Sequence, residues 1–316
     1  MTETFVIFAT SLLFLIISAY MLLKFSEKLS YKIKISPLII GVTLVAIGTS
    51  LPETFIAVSA INQGAPLISL GDIIGSGIAN VCLILGINIL LFPVRIGTTK
   101  TQKNNVFLFF VTVLFISIFF LPGNIRKAVG IILPAIYVIF LITELVWGKE
   151  GGVHEDKKTL AKLEKSDGNP FLYLVGILLA IGGLILSSKY LVSAVISISK
   201  YFNIGQEIIG LSLVAIGTSL PELAASISSG IKKDWKLLYG NIQGSNIYNL
   251  SIVGAILVTT NPEIYSHDTF SLIFMGIAIL SVIILSHKYM GTNIPRKYGI
   301  FYIIFYIFYL YKIYNF

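Results

Sequence analysis

Ten residues, Leu-Val-Ala-Ile-Gly-Thr-Ser-Leu-Pro-Glu, occur twice without change, at 44–53 and again 169 residues on at 213–222. The same offset carries Gly41 to Gly210, Gly71 to Gly240, Gly75 to Gly244, Ser76 to Ser245 and Asn80 to Asn249, with no gap needed. Ten identical residues followed by further matches in register mark an internal duplication. A chain built this way folds as two copies of one unit.

The unit is apolar. Of the 316 residues 56% are hydrophobic and 12% charged, about half the charge of a soluble domain. Uninterrupted apolar stretches of about 18 residues or more, the length that crosses a bilayer as a helix, recur from end to end. The pattern predicts an all-α polytopic membrane protein with ten transmembrane helices, at 4–23, 37–61, 68–93, 105–122, 128–147, 170–193, 207–231, 239–260, 268–286 and 297–315. The first is read as a span and not a signal peptide, because no basic segment precedes it and no small-residue cleavage site follows. Residues 148–169, with Glu155, Asp156, Lys157 and Lys158, read as a solvated linker between five-helix repeats at 1–147 and 170–316. Five spans is an odd number, so the second repeat enters the membrane from the opposite side, and the halves are expected to be inverted repeats with a site near the midplane.

Most of the 23 lysines and arginines fall on one set of alternate connections, among them Lys28, Lys100, Lys162, Lys233 and Lys297. The opposite set holds only Arg126, Lys127, Lys189, Lys200 and Lys312. By the positive-inside rule both termini are external and the linker is cytoplasmic. The formal charge of +8 therefore reflects topology; the basic residues form no patch that would bind nucleic acid. The single cysteine, Cys82, excludes an internal disulfide and reads as a packing residue.

Glu53 and Glu222 end the repeated segment in mid-span, where an acidic side chain costs roughly 2.5–3.5 kcal/mol unless paired or hydrated. No lysine, arginine or histidine lies inside the repeated helices, so these carboxylates attract cations or protons. A protonated, hydrogen-bonded glutamate serving only to pack helices is the bland alternative, and it explains one such residue better than two at equivalent positions. Pro52 and Pro221 precede the acids and orphan the carbonyls of Gly48 and Gly217 one turn earlier, next to Thr49 and Thr218. Free carbonyls at membrane depth are tolerated where they line a cavity or meet an ion. A lone proline is usually a plain kink; two identical Gly-Thr-Ser-Leu-Pro-Glu segments ask for more. The next helix of each repeat carries Ser76 and Asn80, or Ser245 and Asn249, four apart on one face. These polar groups, with the nearby glycines, also suit simple helix-to-helix adhesion. Pooled, the donors are all oxygen, which suits a hard cation such as calcium with its 6–8 oxygens and not zinc or copper, which favour histidine and cysteine.

With these residues in place, the chain resembles the cation/calcium exchanger superfamily, specifically the prokaryotic-type sodium/calcium exchanger branch with its paired alpha repeats. The similarity spans the chain, and its specific part is 41–53 with 71–80, repeated as 210–222 with 240–249. The resemblance implies that Glu53 and Glu222 bridge calcium with help from the carbonyls of Thr49 and Thr218. Flanking sodium sites would use Ser50, Ser219, Ser76, Ser245 and the carbonyls of Ala46 and Ala215. It also implies that the first two helices slide across a fixed core. The expected activity is exchange of sodium for calcium across a cell membrane by alternating access. The bound ions are the transported ones, the surrounding partner is the lipid bilayer, and no cofactor or obligatory protein partner is expected. Asn249 stands where some prokaryotic and the potassium-dependent members have aspartate, which argues against potassium dependence and against a third titrating carboxylate. Asp72 stands where the family usually has a neutral residue. It is expected near the outer end of the third helix, either on an entry path or as a solvated helix-end charge.

Two buried carboxylates also suit a proton/calcium antiporter, although the acidic motifs of that branch and a transmembrane histidine are absent. A cation channel or ion sensor would use acids in a pore, but paired, proline-broken, inverted helices favour alternating access. An enzyme is disfavoured, because no nucleophile-base pair, redox motif or zinc motif is evident in the apolar helices.

Overall fold

A computed structural model describes residues 2–32, 47–95, 99–150, 169–233, 235–266 and 268–315. The described residues are almost entirely helical and contain no strand, only an isolated bridge between Arg95 and Asn293. The helices are α1 (Thr2–Lys32), α2 (Leu51–Asn62), α3 (Pro66–Leu91), α4 (Thr99–Ile118), α5 (Gly123–Glu150), α6 (Pro170–Phe202) and α7 (Gln206–Thr218). They continue with α8 (Leu220–Ile231), α9 (Trp235–Tyr248, extended through Asn249–Val253 and Gly254–Thr260), α10 (Thr269–Lys288) and α11 (Lys297–Tyr314). Of the spans expected from the sequence, α1, α3, α4, α5, α6 and α10 are long and apolar enough to cross a membrane unaided, and α7 with α8 forms a seventh, bent by 42°. The expected helix at 37–61 is seen only from Ile47 onward, and linker residues 151–168 lie outside the described residues.

Local chemistry explains the boundaries. Asn169 caps α6 by accepting from the Phe171 amide at 3.0 Å, Pro170 supplies the first turn, and Asn203 ends the helix in the left-handed conformation. Asp268 caps α10 through the Ser271 amide at 3.1 Å. Between α2 and α3 the chain reverses at Gly64, whose φ of +68° suits glycine, and Pro66 starts the next helix.

α3 is the centre of the molecule, with 83% of its span buried, whereas α1 and α6 are 29% and 33% buried. α1 and α6 pack along each other around Leu15, Ala19, Leu184, Leu191 and Val195, in a cluster that also takes Ile56 of α2, Ile68 of α3 and Ile209 of α7; a second, larger cluster lies among α3, α9, α10 and α11. Glycines set the closest crossings. A Cβ on Gly75 of α3 would lie 2.7 Å from the Ala215 Cβ of α7, and one on Gly210 would lie 3.0 Å from the Gly71 Cα. The backbones of α3 and α7 are thus in direct contact, as small residues permit in apolar bundles. α11 leans on α3 in the same way through Gly299 and Gly86.

Arg126, expected in the connection before the fifth span, lies in the first turn of α5 and is fully buried. Its guanidinium donates to the carbonyls of Phe119, Leu121 and Ile264 and lies 4.4 Å from the centre of the Tyr265 ring. It thereby satisfies carbonyls where α4 ends and ties that corner to the loop after α9.

Candidate ion-binding site

The helix breaks come at the residue before each Leu-Pro-Glu. Ser50 (φ −92°, ψ 9°) and Ser219 (φ −82°, ψ 3°) leave helical geometry, and α2 and α8 start afresh with proline in the first turn and Glu53 or Glu222 beside it. Each carboxylate sits at the positive end of a new helix dipole. Both glutamates are completely buried.

Around them the two repeats exchange contacts. Thr49, just before α2, donates through Oγ1 to Asn241 Oδ1 of α9 at 3.3 Å and is also 3.3 Å from Ser245 Oγ. Thr218, its repeat mate at the end of α7, donates to Asp72 Oδ1 of α3 at 2.9 Å and is 3.4 Å from Ser76 Oγ. Each threonine therefore reaches the corresponding pair of residues in the other repeat. Ser50 Oγ donates across to Glu222 Oε1 at 3.1 Å. Glu53 lies within electrostatic reach of Glu222, Asp72 and the Asn249 amide, yet neither of its oxygens has a hydrogen-bond partner.

Several other buried oxygens lack partners: Glu222 Oε2, Asp72 Oδ2, Asn80 Oδ1, Asn249 Oδ1 and Ser219 Oγ. Orphan acceptors at this density are costly inside a protein, and they need an explanation in native structures. Asn80 and Asn249 stand at equivalent π-helical turns, Ala79–Ile84 and Asn249–Val253, a local widening common at functional sites. No group of three or more histidine, cysteine, aspartate or glutamate side chains among the described residues gathers closely enough to hold a metal unaided. An ion here would need hydroxyl, amide and backbone oxygens as well as carboxylates, the mixed set a hard cation takes.

The structure brings together Glu53, Glu222, Thr49, Thr218, Ser50, Ser76, Ser245 and Asn249. Asn80 instead pairs with Asn246, donating to its Oδ1 at 2.8 Å. The Ala215 carbonyl accepts the ordinary helical bond from the Ser219 amide at 3.1 Å and lies 3.4 Å from the Thr218 hydroxyl. Ala46 lies outside the described residues. One expectation is corrected: Asp72 is neither at a helix end nor solvated. It is wholly buried beside Ser76 and Thr218, because α3 starts at Pro66 and its early turns press against α7 through Gly71. Asn241 and Asn246 were also missed as neighbours of the site. The duplication carried the clue for Asn241, which stands 169 residues after Asp72.

A family model described as sodium/calcium exchanger protein matches residues 3–146 and again 172–315. The chain belongs to the sodium/calcium exchanger family. Among relatives of this exchanger chain, the sodium/calcium exchanger MaX1 of Methanosarcina acetivorans is 27% identical over 342 residues, covering 98% of both chains. The inner membrane protein YrbG of Escherichia coli is 33% identical over 244 residues, covering 74% of each. The sodium-calcium exchanger NCX_Mj, solved after soaking with sodium and strontium, superimposes with a TM-score of 0.65 at 27% identity, covering 97% of each chain. This family member is thus an integral membrane protein of apolar helices with the NCX_Mj-like fold.

Proposed function

We propose that this chain is a secondary active antiporter, not an enzyme, that exchanges sodium for calcium across the cell membrane. It would do so by alternating access between two inverted five-helix repeats, 1–147 and 170–316, that complete ten spans. The observation that carries this reading is the pair of repeat-equivalent glutamates, fully buried, without a basic partner and surrounded by unpartnered oxygens. Glu53 and Glu222 bridge calcium. The carbonyls of Thr49 and Thr218 assist, and the amides of Asn80 and Asn249 flank the pair. Ser50, Ser219, Ser76, Ser245 and the carbonyls of Ala46 and Ala215 serve the sodium ions.

The crossed contacts of Thr49 and Thr218 support the repeat relation, and the odd number of spans per repeat supports its inversion. α1 and α6, packed along each other and far less buried than α3, suit a body that slides while the core stays fixed. The basic connections orient both termini outward and the linker toward the cytoplasm.

The test is uptake of radioactive calcium by sodium-loaded liposomes containing the purified protein, with a parallel set driven only by a pH gradient. Sodium-driven uptake is expected. Uptake driven by pH alone would replace this reading with proton/calcium exchange.

A further inference from the structure

The two repeats spell the helix break alike through Gly-Thr-Ser-Leu-Pro-Glu and part at the next residue, Thr54 in one and Leu223 in the other. Thr54 Oγ1 donates back to the Ser50 carbonyl at 3.3 Å, which also accepts from the Thr54 amide at 3.4 Å. With its own proton used, that hydroxyl accepts from the Tyr248 hydroxyl of α9 at 3.0 Å. Tyr248 is itself held in place: it is 6% exposed, and the Tyr137 ring of α5 meets it edge-on with centroids 5.2 Å apart. The result is a clasp, from Tyr248 through Thr54 to the Ser50 carbonyl, that ties the start of α2 to α9. The second repeat cannot build it, because Leu223 has no hydroxyl and Ala79 stands 169 residues before Tyr248. There the Ser219 carbonyl accepts from the Leu223 amide at 3.1 Å.

Proline breaks both helices, and Ser50 and Ser219 adopt nearly the same torsion angles, so the break itself does not need the clasp. What differs is the serine hydroxyl. Ser50 Oγ donates to Glu222 Oε1 of the other repeat at 3.1 Å, whereas Ser219 Oγ is buried with no partner. We propose that Tyr248 and Thr54 are positioning residues of the transport site: by holding the Ser50 backbone to α9 they aim its hydroxyl at Glu222 and so join the two repeats. This deepens the exchanger reading and rests on it, since Ser50 and Glu222 are among the ion ligands that reading names.

The test pairs sodium-driven calcium uptake by liposomes with thermal unfolding, for Tyr248→Phe, Thr54→Val, Thr54→Ser and Ser50→Ala, and for Tyr248→Phe combined with Thr54→Val or with Ser50→Ala. Tyr248→Phe and Thr54→Val should each raise the half-saturating sodium concentration about fivefold, equivalent to about 1 kcal/mol. Their maximal rates should stay within about twofold of wild type, a split that general loss of folded protein would not produce. Thr54→Ser keeps the hydroxyl and should behave as wild type. Because the clasp is one unit acting through Ser50, each double variant should lose no more than the worse of its singles, in sodium dependence and in unfolding alike. Additive losses, an unchanged half-saturating concentration in Tyr248→Phe, or a fall in maximal rate alone would overturn the proposal. If wild type shows no sodium-driven uptake, the exchanger reading fails, and the couplings in unfolding still decide whether the clasp acts through Ser50.

Discussion

Glu53 and Glu222 occupy the same place in the two repeats and are held differently. Glu222 takes a hydrogen bond from Ser50 of the opposite repeat, and its backbone carbonyl takes another from Asn241. Glu53 has neither: its carboxylate is unpartnered, Ser219, the mate of Ser50, has an unpartnered hydroxyl, and Asp72 has replaced the amide. The duplicated backbone thus carries one tied acid and one loose acid. Duplication supplies the paired acids, and divergence at a few side chains makes their surroundings unequal. The tied half is preorganised, while the loose half has the greater need of an ion to satisfy its oxygens.

The largest expected effect is common to both halves. Glu53→Gln and Glu222→Gln should each cut sodium-driven calcium uptake by at least about 100-fold, more than roughly 2.7 kcal/mol of binding. Retained flux in either would show that the acids do not act as a pair. Ser50→Ala should destabilise the protein by about 1.5–3 kcal/mol, because it strips a hydrogen bond from a buried carboxylate. Ser219→Ala should stay within about 0.5 kcal/mol, as substitutions that remove no partner do. Equal losses in thermal unfolding would break the comparison. Gly75→Ala forces a methyl against Ala215 Cβ and the Leu211 backbone, an overpacking worth about 1–3 kcal/mol. It pushes α7 away from α3 beside Ser76 and Thr218, so thermal stability and sodium-driven calcium uptake should both fall. The smallest effect concerns ion-free stability: Glu53→Gln should raise the unfolding temperature more than Glu222→Gln, since no hydroxyl of the opposite repeat holds Glu53 as Ser50 holds Glu222.

Much of this was legible in the residues. The repeated Gly-Thr-Ser-Leu-Pro-Glu announced the broken helices and their acids because proline, glycine and an intramembrane carboxylate each carry a local physical consequence. Ser76 and Ser245 followed from helical spacing. Asp72 did not, because a two-residue error in the start of α3 and an unseen glycine crossing turn a buried side chain into an apparent helix-end charge. The π turns at Asn80 and Asn249 leave no mark in the hydrophobic pattern from which the helices were read. Arg126 misled for a related reason: basic residues in short loops usually meet water, but here three carbonyls and an aromatic ring take its place.

The most direct test of the central claim, that Glu53 and Glu222 jointly hold a divalent cation, is anomalous diffraction from crystals of this protein soaked in strontium without sodium. The expected result is one strong peak between the two carboxylates, displaced when sodium is added. A peak elsewhere, or none in protein that still transports calcium, would contradict it.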